Sequence, residues 1–353
     1  MDISRIRDGR LRAQLLTAPA ADVVAAASHL LATQAQDFWA GRWALGVRSA
    51  GDPVLSQVDA AFASGELVRS WTQRGTVHIV PACDLPWILA VTGARQQRAA
   101  AGVLRGWGIG DDDLAAAERA VRPALAGGNR LTRSEFAEVI AATGVDPSSS
   151  RGNHVLTALA IRGVLALGEV VPRDGITRDQ YLVSLDGLAS PALVADPLVE
   201  LWVRYIRAHG PASPADFSWW AGLPLRDAQV AASAADPRVA ASDETRYSAT
   251  DAAPAVDSPA RTHHALAGWD EYFLSYADRT LSCDPGDLAA VGPTQNGLVR
   301  PILVADGIVR GTWSYSTAVG KTRHPPVVTL FEGAGDAAGF DAALRRVVTF
   351  TAG

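Results

Sequence analysis

The sequence predicts an α+β protein in which three tandem units, each of three helices and a β-hairpin, precede a β-barrel-like C-terminal domain. Three observations predict it. The order helix, helix, helix, hairpin is plain between Asp113 and Leu185 and recurs more loosely on either side. Beyond a Pro/Ala/Asp/Ser stretch near 249–260 the texture changes to β-branched and aromatic runs. At 353 residues the chain also exceeds what one hydrophobic core usually serves. Three helices closed by a hairpin is the winged-helix order, so the expected domains are residues 1–92, 93–190 and 191–260 as winged helices, then 261–353 as the β-rich domain.

In the first unit, Ile3–Leu16 and Asp22–Thr33 read as helices, the second with Val23, Ala27, Leu30 and Leu31 on one face. "PVLSQVDAAFASGEL" is a third. "LVRSWTQRGTVHIV" alternates like a strand hairpin turning near Arg74-Gly75. Its period places Arg74, Thr76 and His78 on one face, opposite Val77 and Ile79, and that polar face is expected to meet water or nucleic acid. Asp84 is expected to cap the next helix.

The middle unit opens with an Ala-rich helix at Asp113–Ala126. In "LTRSEFAEVIAATG", Thr132 and Glu135 form a capping box for a second helix that Gly144 closes. "HVLTALAIRGVLAL" follows as a third helix, and then two short strands around Asp174-Gly175. In the last unit "DPLVELWVRYIRAHG" is a strong helix, Ser213 and Pro214 are the N-cap and first position of another, and "PLRDAQVAASAA" is the third. After the change of texture, "YFLSYA", "LVRPILVADGIVRGTWSYS" and "PPVVTLFEGA" read as strands, with Asp306-Gly307 as a two-residue turn and Asp341–Val347 as a closing helix.

Composition excludes several classes. With 48% hydrophobic residues, carried by Ala, Val and Leu, this is an ordinary globular protein. Cys83 and Cys283 lie far apart, and neither has a second ligand at metal spacing, so no disulfide framework and no zinc site is expected. The N-terminal stretch is charged throughout and no apolar run reaches membrane length, which fits a cytoplasmic protein. There is no GxxxxGK[ST], GxGxxG after a strand, HExxH or GxSxG, so the common nucleotide, metal and serine-hydrolase templates fail. The His263-His264 pair reads as surface or loop. Most of the ten tryptophans are expected in the core, since indole buries large area whatever the function.

A net charge of −5 argues against a generic polyanion binder, but its distribution is uneven. From Leu67 to Arg105 the one acid is Asp84, against Arg69, Arg74, Arg95, Arg98 and Arg105. That local field points to nucleic acid.

The stretch "LLATQAQDFWAGRWALGVRS" then raises a geometric question. On a regular helix, positions i and i+2 point roughly 200° apart, so Gln34 and Gln36 can act on one point only if the helix ends or the backbone extends there. Spacing by itself favours two exposed glutamines at a helix terminus.

Taken in order, "LLATQAQ", "RGTVHIVPACDL", "GPASPADFSWWAGL", "GWDEYFLSYADR" and "NGLVRPILVADGIVRGTW" resemble the AlkZ-type bacterial DNA glycosylases of the winged-helix HTH superfamily. The resemblance covers nearly the whole chain. It implies a DNA channel formed by three winged helices and a β-barrel, and excision of N7-alkylated guanines, including those in interstrand crosslinks. The family's glutamine, apolar, glutamine signature falls on Gln34, Ala35 and Gln36, which makes the two glutamines the expected catalytic residues. A related branch, exemplified by YcaQ, ends this signature in aspartate. Ala277 departs from the pattern, standing in "SYADR" where a basic residue is expected.

Amides suit such a substrate. An N7-alkylguanine is already cationic and leaves without a general acid, so the site must only position a water at C1′ and stabilise charge on the sugar. Exposed glutamines would accept bulky adducts that cannot be flipped into a snug cavity. Expected DNA contacts are Arg69, Arg74, Thr76, His78, Arg95, Arg279 and Arg300. The expected partner is double-stranded DNA carrying alkylated guanine, bound by a monomer with no cofactor, metal or membrane. The alternative is a non-catalytic winged-helix DNA binder or transcriptional regulator. Against it stand three units in one chain and a near-apolar "HVLTALAIRGVLAL" where a basic recognition helix would be needed.

Overall fold

In a computed structural model of the chain, residues 2–173, 176–186, 192–251, 263–316 and 324–352 are described. The helices are α1 Ile3–Ala13, α2 Val23–Leu30, α3 Phe38–Gly46, α4 Leu55–Ala63, α5 Leu85–Gly106, α6 Asp111–Ala124, α7 Arg133–Ala141, α8 Arg151–Ile161, α9 Pro197–His209, α10 Pro214–Ala221, α11 Leu225–Ser233, α12 Glu271–Leu274, α13 Leu288–Val291 and α14 Asp341–Ala352. The strands are β1 Thr33–Gln34, β2 Leu67–Gln73, β3 Thr76–Pro81, β4 Arg130–Leu131, β5 Leu165–Val170, β6 Gln180–Ser184, β7 Val239–Ala241, β8 Tyr247–Ala249, β9 His263–Leu266, β10 Ile302–Ala305, β11 Ile308–Ser314 and β12 Val327–Leu330. The chain divides into two compact units: residues 1–58, 174–176 and 198–353, and residues 59–173 and 177–197.

The second unit carries the order expected of its middle segment. Thr132 caps α7 and exchanges hydrogen bonds with Glu135 as the spacing requires: the Glu135 N–H donates to Thr132 Oγ1 at 3.2 Å and the Thr132 N–H to Glu135 Oε2 at 2.7 Å. Helices α6, α7 and α8 bury Leu114, Val121, Phe136, Ile140, Val155 and Leu159 in one apolar core with Trp71 and Val77. Strands β3, β2, β5, β6 and β4 lie side by side in that order, so the two hairpins share a sheet through the Arg69–Leu167 pair. Arg74 and Gly75 turn the first hairpin at φ of +54° and +69°, while the Asp174-Gly175 turn lies outside the described residues. Asp84 stands at the start of α5 but does not cap it; its Oδ1 accepts the Trp87 indole N–H at 2.9 Å instead.

The first unit contains α1 to α3 and everything from α9 onward. Ser213 caps α10 with Pro214 at its first position, as expected. The short hairpin β7-β8 follows α11. Strands β12, β11, β10 and β9 form an antiparallel sheet in that order, with Asp306-Gly307 at the β10-β11 turn at φ of +50° and +75°. Helix α14 closes the chain.

Three expectations are corrected. The C-terminal region forms a four-stranded sheet, and no closed barrel occurs among the described residues. "YFLSYA" opens with the single-turn helix α12 rather than a strand, because the Asp270 carboxylate accepts the Tyr272 N–H at 2.9 Å and nucleates a turn that the aromatic run conceals. His263 and His264 are neither surface nor loop: they lie on β9, half-buried and buried. The tryptophans mostly pack inside, with Trp107 and Trp219 exposed.

Candidate active site

Helix α2 starts where Asp22 accepts the Ala25 N–H at 2.8 Å and stops at Leu31, whose φ of +66° turns the chain out of helical geometry. Thr33 and Gln34 are extended, and Asp37 then caps α3 by accepting the Trp39 and Ala40 N–H groups at 3.0 and 3.4 Å. Gln34-Ala35-Gln36 therefore lies between a helix end and a helix start, where i and i+2 no longer diverge as they do on a helix. The Gln36 backbone N–H donates to Gln34 Oε1 at 3.3 Å, which brings the first amide to the second residue.

The two glutamines differ in exposure. Gln36 is exposed, whereas Gln34 retains only 5% of its surface, so the expectation of two open amides holds for Gln36 alone. Ala35 is fully buried and packs closely against α3. A Cβ added to Gly41 in α3 would sit 2.6 Å from the Ala35 Cβ and 3.1 Å from the Gln34 carbonyl oxygen. The motif backbone rests against a helix with no side chain at the contact, which leaves no room for a Cβ at Gly41.

Below the motif lies a buried polar network that sequence reasoning missed. Arg48, just past the end of α3, is fully buried with all its donors used. Its Nε donates to Gln14 O at 3.0 Å, its Nη1 to Ala44 O at 3.0 Å and Asp270 Oδ2 at 2.9 Å, and its Nη2 to Gln14 Oε1 at 2.9 Å and Asp270 Oδ1 at 2.7 Å. The next residue, Glu271, is also fully buried. Its Oε1 accepts the Gln34 backbone N–H at 2.8 Å, and its Oε2 accepts the Trp220 indole N–H at 3.1 Å and the Ser275 hydroxyl at 2.5 Å. His209 Nε2 lies 3.6 Å from the same Oε2, while the His209 Nδ1–H donates to Tyr205 O at 3.1 Å. Two consecutive acids thus hold both flanks of α3: Glu271 the strand before it, Asp270 the arginine after it.

Burial governs titration around this network. It pushes the Tyr276 phenol up to about 12, so Tyr276 stays a neutral donor to His209 O at 2.9 Å while accepting from Gln14 Nε2 at 3.1 Å. It also lowers His264 to about 4, helped by the charges of Arg48 and Arg346. The one signal that could have found the network is "WDE" ahead of an apolar run, the form of an acidic helix start.

The expected DNA contacts fall in both units. In the first, Arg279 donates from Nε to Phe273 O at 3.1 Å and lies 5.2 Å from the ring centres of Trp219 and Phe273, while Arg300 is exposed and donates to Ala290 O at 3.1 Å. In the second, Arg69 Nη1 donates to Gln180 Oε1 at 3.0 Å and the Thr76 hydroxyl to Gln73 O at 3.3 Å, with Arg74 half-buried at the turn. Arg95 is exposed on α5, together with Arg98 and Arg105. His78 does not stand on an open polar face: it is fully buried, 2.9 Å from the Thr72 hydroxyl through Nδ1. Strict alternation failed there because Thr72, Gln73 and His78 are all buried, so both faces of this hairpin are covered. Among the described residues no cluster could hold a metal ion, and no helix is long and apolar enough to cross a membrane.

In fold the chain is similar to a DNA-acting enzyme, the Streptomyces sahachiroi DNA glycosylase AlkZ, with a TM-score of 0.79 at 20% sequence identity over 100% of this chain and 97% of that one. No curated protein sequence matches it. The model of the AlkZ-like DNA glycosylase family matches residues 27–350, and the chain belongs to that family. DNA is accordingly its substrate class.

Proposed function

We propose that the protein is a monofunctional DNA glycosylase that hydrolyses the N-glycosidic bond of cationic N7-alkylguanines, bulky adducts and interstrand crosslinks included. Gln34 and Gln36 are its catalytic residues. The observation that carries this reading is the break between α2 and α3, which takes both glutamines out of helical geometry with the Gln34 side chain at the Gln36 backbone N–H.

In this reading the C1′–N9 bond breaks with its electron pair moving onto the base, whose positive charge is thereby cancelled. No proton donor is needed for departure. The sugar is left as an oxocarbenium ion, and an amide carbonyl orients a water whose oxygen bonds to C1′ and whose proton passes to solvent. Neutral bases, lacking the built-in charge, leave too slowly for so weak a site. The exposure of Gln36 fits adducts that cannot enter a closed pocket. Exposed Arg95 and Arg300, with Arg69, Arg74, Thr76 and Arg279, serve as backbone contacts in this proposal, and His78 as support for the hairpin. Winged-helix units at 1–92, 93–190 and 191–260 are the DNA-binding elements of a monomeric enzyme in this proposal.

The test is mass-spectrometric measurement of 7-methylguanine released from alkylated duplex. Wild-type protein is expected to release it. The double variant Gln34→Ala/Gln36→Ala is expected to lose at least about 100-fold in rate with unchanged duplex affinity. Tight binding by the wild type without base release would sink the proposal and favour a non-catalytic DNA binder.

A further inference from the structure

The excision scheme leaves one buried ionisable group next to the motif without a task. Glu271 is fully buried, and it accepts hydrogen bonds from three places in the chain: Gln34 in β1, Trp220 in α10 and Ser275 after α12, with His209 Nε2 of α9 lying 3.6 Å away. A carboxylate gripped from so many elements has a fixed position, and at zero exposure its field is little weakened by water or salt. It engages Gln34 through the backbone N–H, so the side-chain amide is not consumed by the anchor.

We propose that Glu271 is a positioning residue for base excision: its carboxylate fixes the Gln34 backbone, and through the Gln34 side chain the approach to Gln36, and holds a negative charge behind the motif. The proposal rests on the reading of those two glutamines as the excision site. The charge has a reason to be there. Cleavage of the glycosidic bond builds positive charge on the sugar, and the motif's amides contribute dipoles but no net charge. An anion preorganised behind the strand favours that state at no cost of reorganisation. It also escapes the disadvantage of a carboxylate in the motif itself, which would meet the cationic base in the ground state as well as the transition state. Asp270, one residue earlier, is engaged by the Arg48 guanidinium and makes no contact with the motif backbone, whereas the Glu271 carboxylate accepts directly from the Gln34 backbone N–H.

Single-turnover release of 7-methylguanine from duplex DNA at saturating enzyme tests this in the full chain, with duplex affinity, melting temperature and the Gln34 backbone amide proton resonance measured alongside. Glu271→Gln keeps an oxygen for the Gln34 N–H and removes the charge. It is expected to slow release at least about 30-fold, to leave the dissociation constant within about twofold, and to move the Gln34 resonance upfield. Ser275→Ala keeps the charge but frees Oε2 from one donor, and is expected to slow release about threefold to tenfold with unchanged affinity. A purely structural role would change melting temperature and affinity rather than the saturating rate of a well-folded variant. A folded Glu271→Gln protein that releases base at the wild-type rate overturns the assignment. If that variant does not fold, wild-type release and an unmoved Gln34 resonance in Ser275→Ala overturn it equally. Absence of release by the wild type itself would instead remove the site reading on which the assignment stands.

Discussion

Arg48–Asp270 in the first unit and Arg122–Glu118 in the second are ion pairs of nearly equal length, 2.7 and 2.8 Å. Distance is where the likeness ends. The first pair has no exposed side-chain surface, and it carries Gln14 and the start of α12 with it. The second joins neighbouring turns of α6 with 45% and 27% of its side chains in water. Isolated from solvent, a charge depends on partners fixed in the fold; at the surface, water does most of that work. The two pairs therefore use charge differently: one to tie the segment after α3 to the start of α12 in a dry interior, the other to dress a helix whose cohesion comes from an apolar core.

The largest way to break this contrast is Arg48→Met. It strands Asp270 and the Gln14 side chain in a dry interior, and a loss of about 3–5 kcal/mol in unfolding free energy is expected by chemical denaturation. Acid comes second. His264 is lowered to about 4 by burial and by Arg48 and Arg346, with His263 beside it, so it stays neutral in the folded chain while the unfolded chain binds a proton below about 6.5. Stability contributed by this residue is complete above about pH 6.5 and falls as pH drops toward 4, by up to about 3 kcal/mol. His264→Gln should flatten that part of the pH profile of the denaturation midpoint; an unchanged slope would refute it. The smallest effect is expected from Arg122→Ala, at most about 0.5 kcal/mol, and less in high salt. A loss as large as that of Arg48→Met would erase the distinction between the two pairs.

The sequence displayed the parts of the fold governed by local rules. The Thr132–Glu135 capping box, Ser213-Pro214, the Asp306-Gly307 turn and the amphipathic run from Asp22 all occur where their chemistry places them, because each is decided by a few adjacent residues. What it hid was decided at long range. Helix α3 was not read from "FWAGRWALG" because it is buried on every side and shows no polar face to give a period. Helix α12 was masked by aromatic residues whose strand preference yields to the Asp270 cap. At the candidate site, Gln34 and Gln36 were legible through the ordered motifs. Glu271, Arg48 and Gln14 were not, since partners 237, 222 and 34 residues apart in sequence meet only in the folded chain. His78 failed for a related reason: alternation identifies which residues share a face, not what covers it.

The adjacency of Asp270 and Glu271 has a bearing on how this chain can change over generations. Each acid serves a different station, one on either side of α3. Substitution at one position damages one station. Loss or gain of a single residue between Trp269 and Tyr272 would misassign both together, so this short connection is constrained in length as tightly as in composition, unlike the loops that ordinarily absorb insertions.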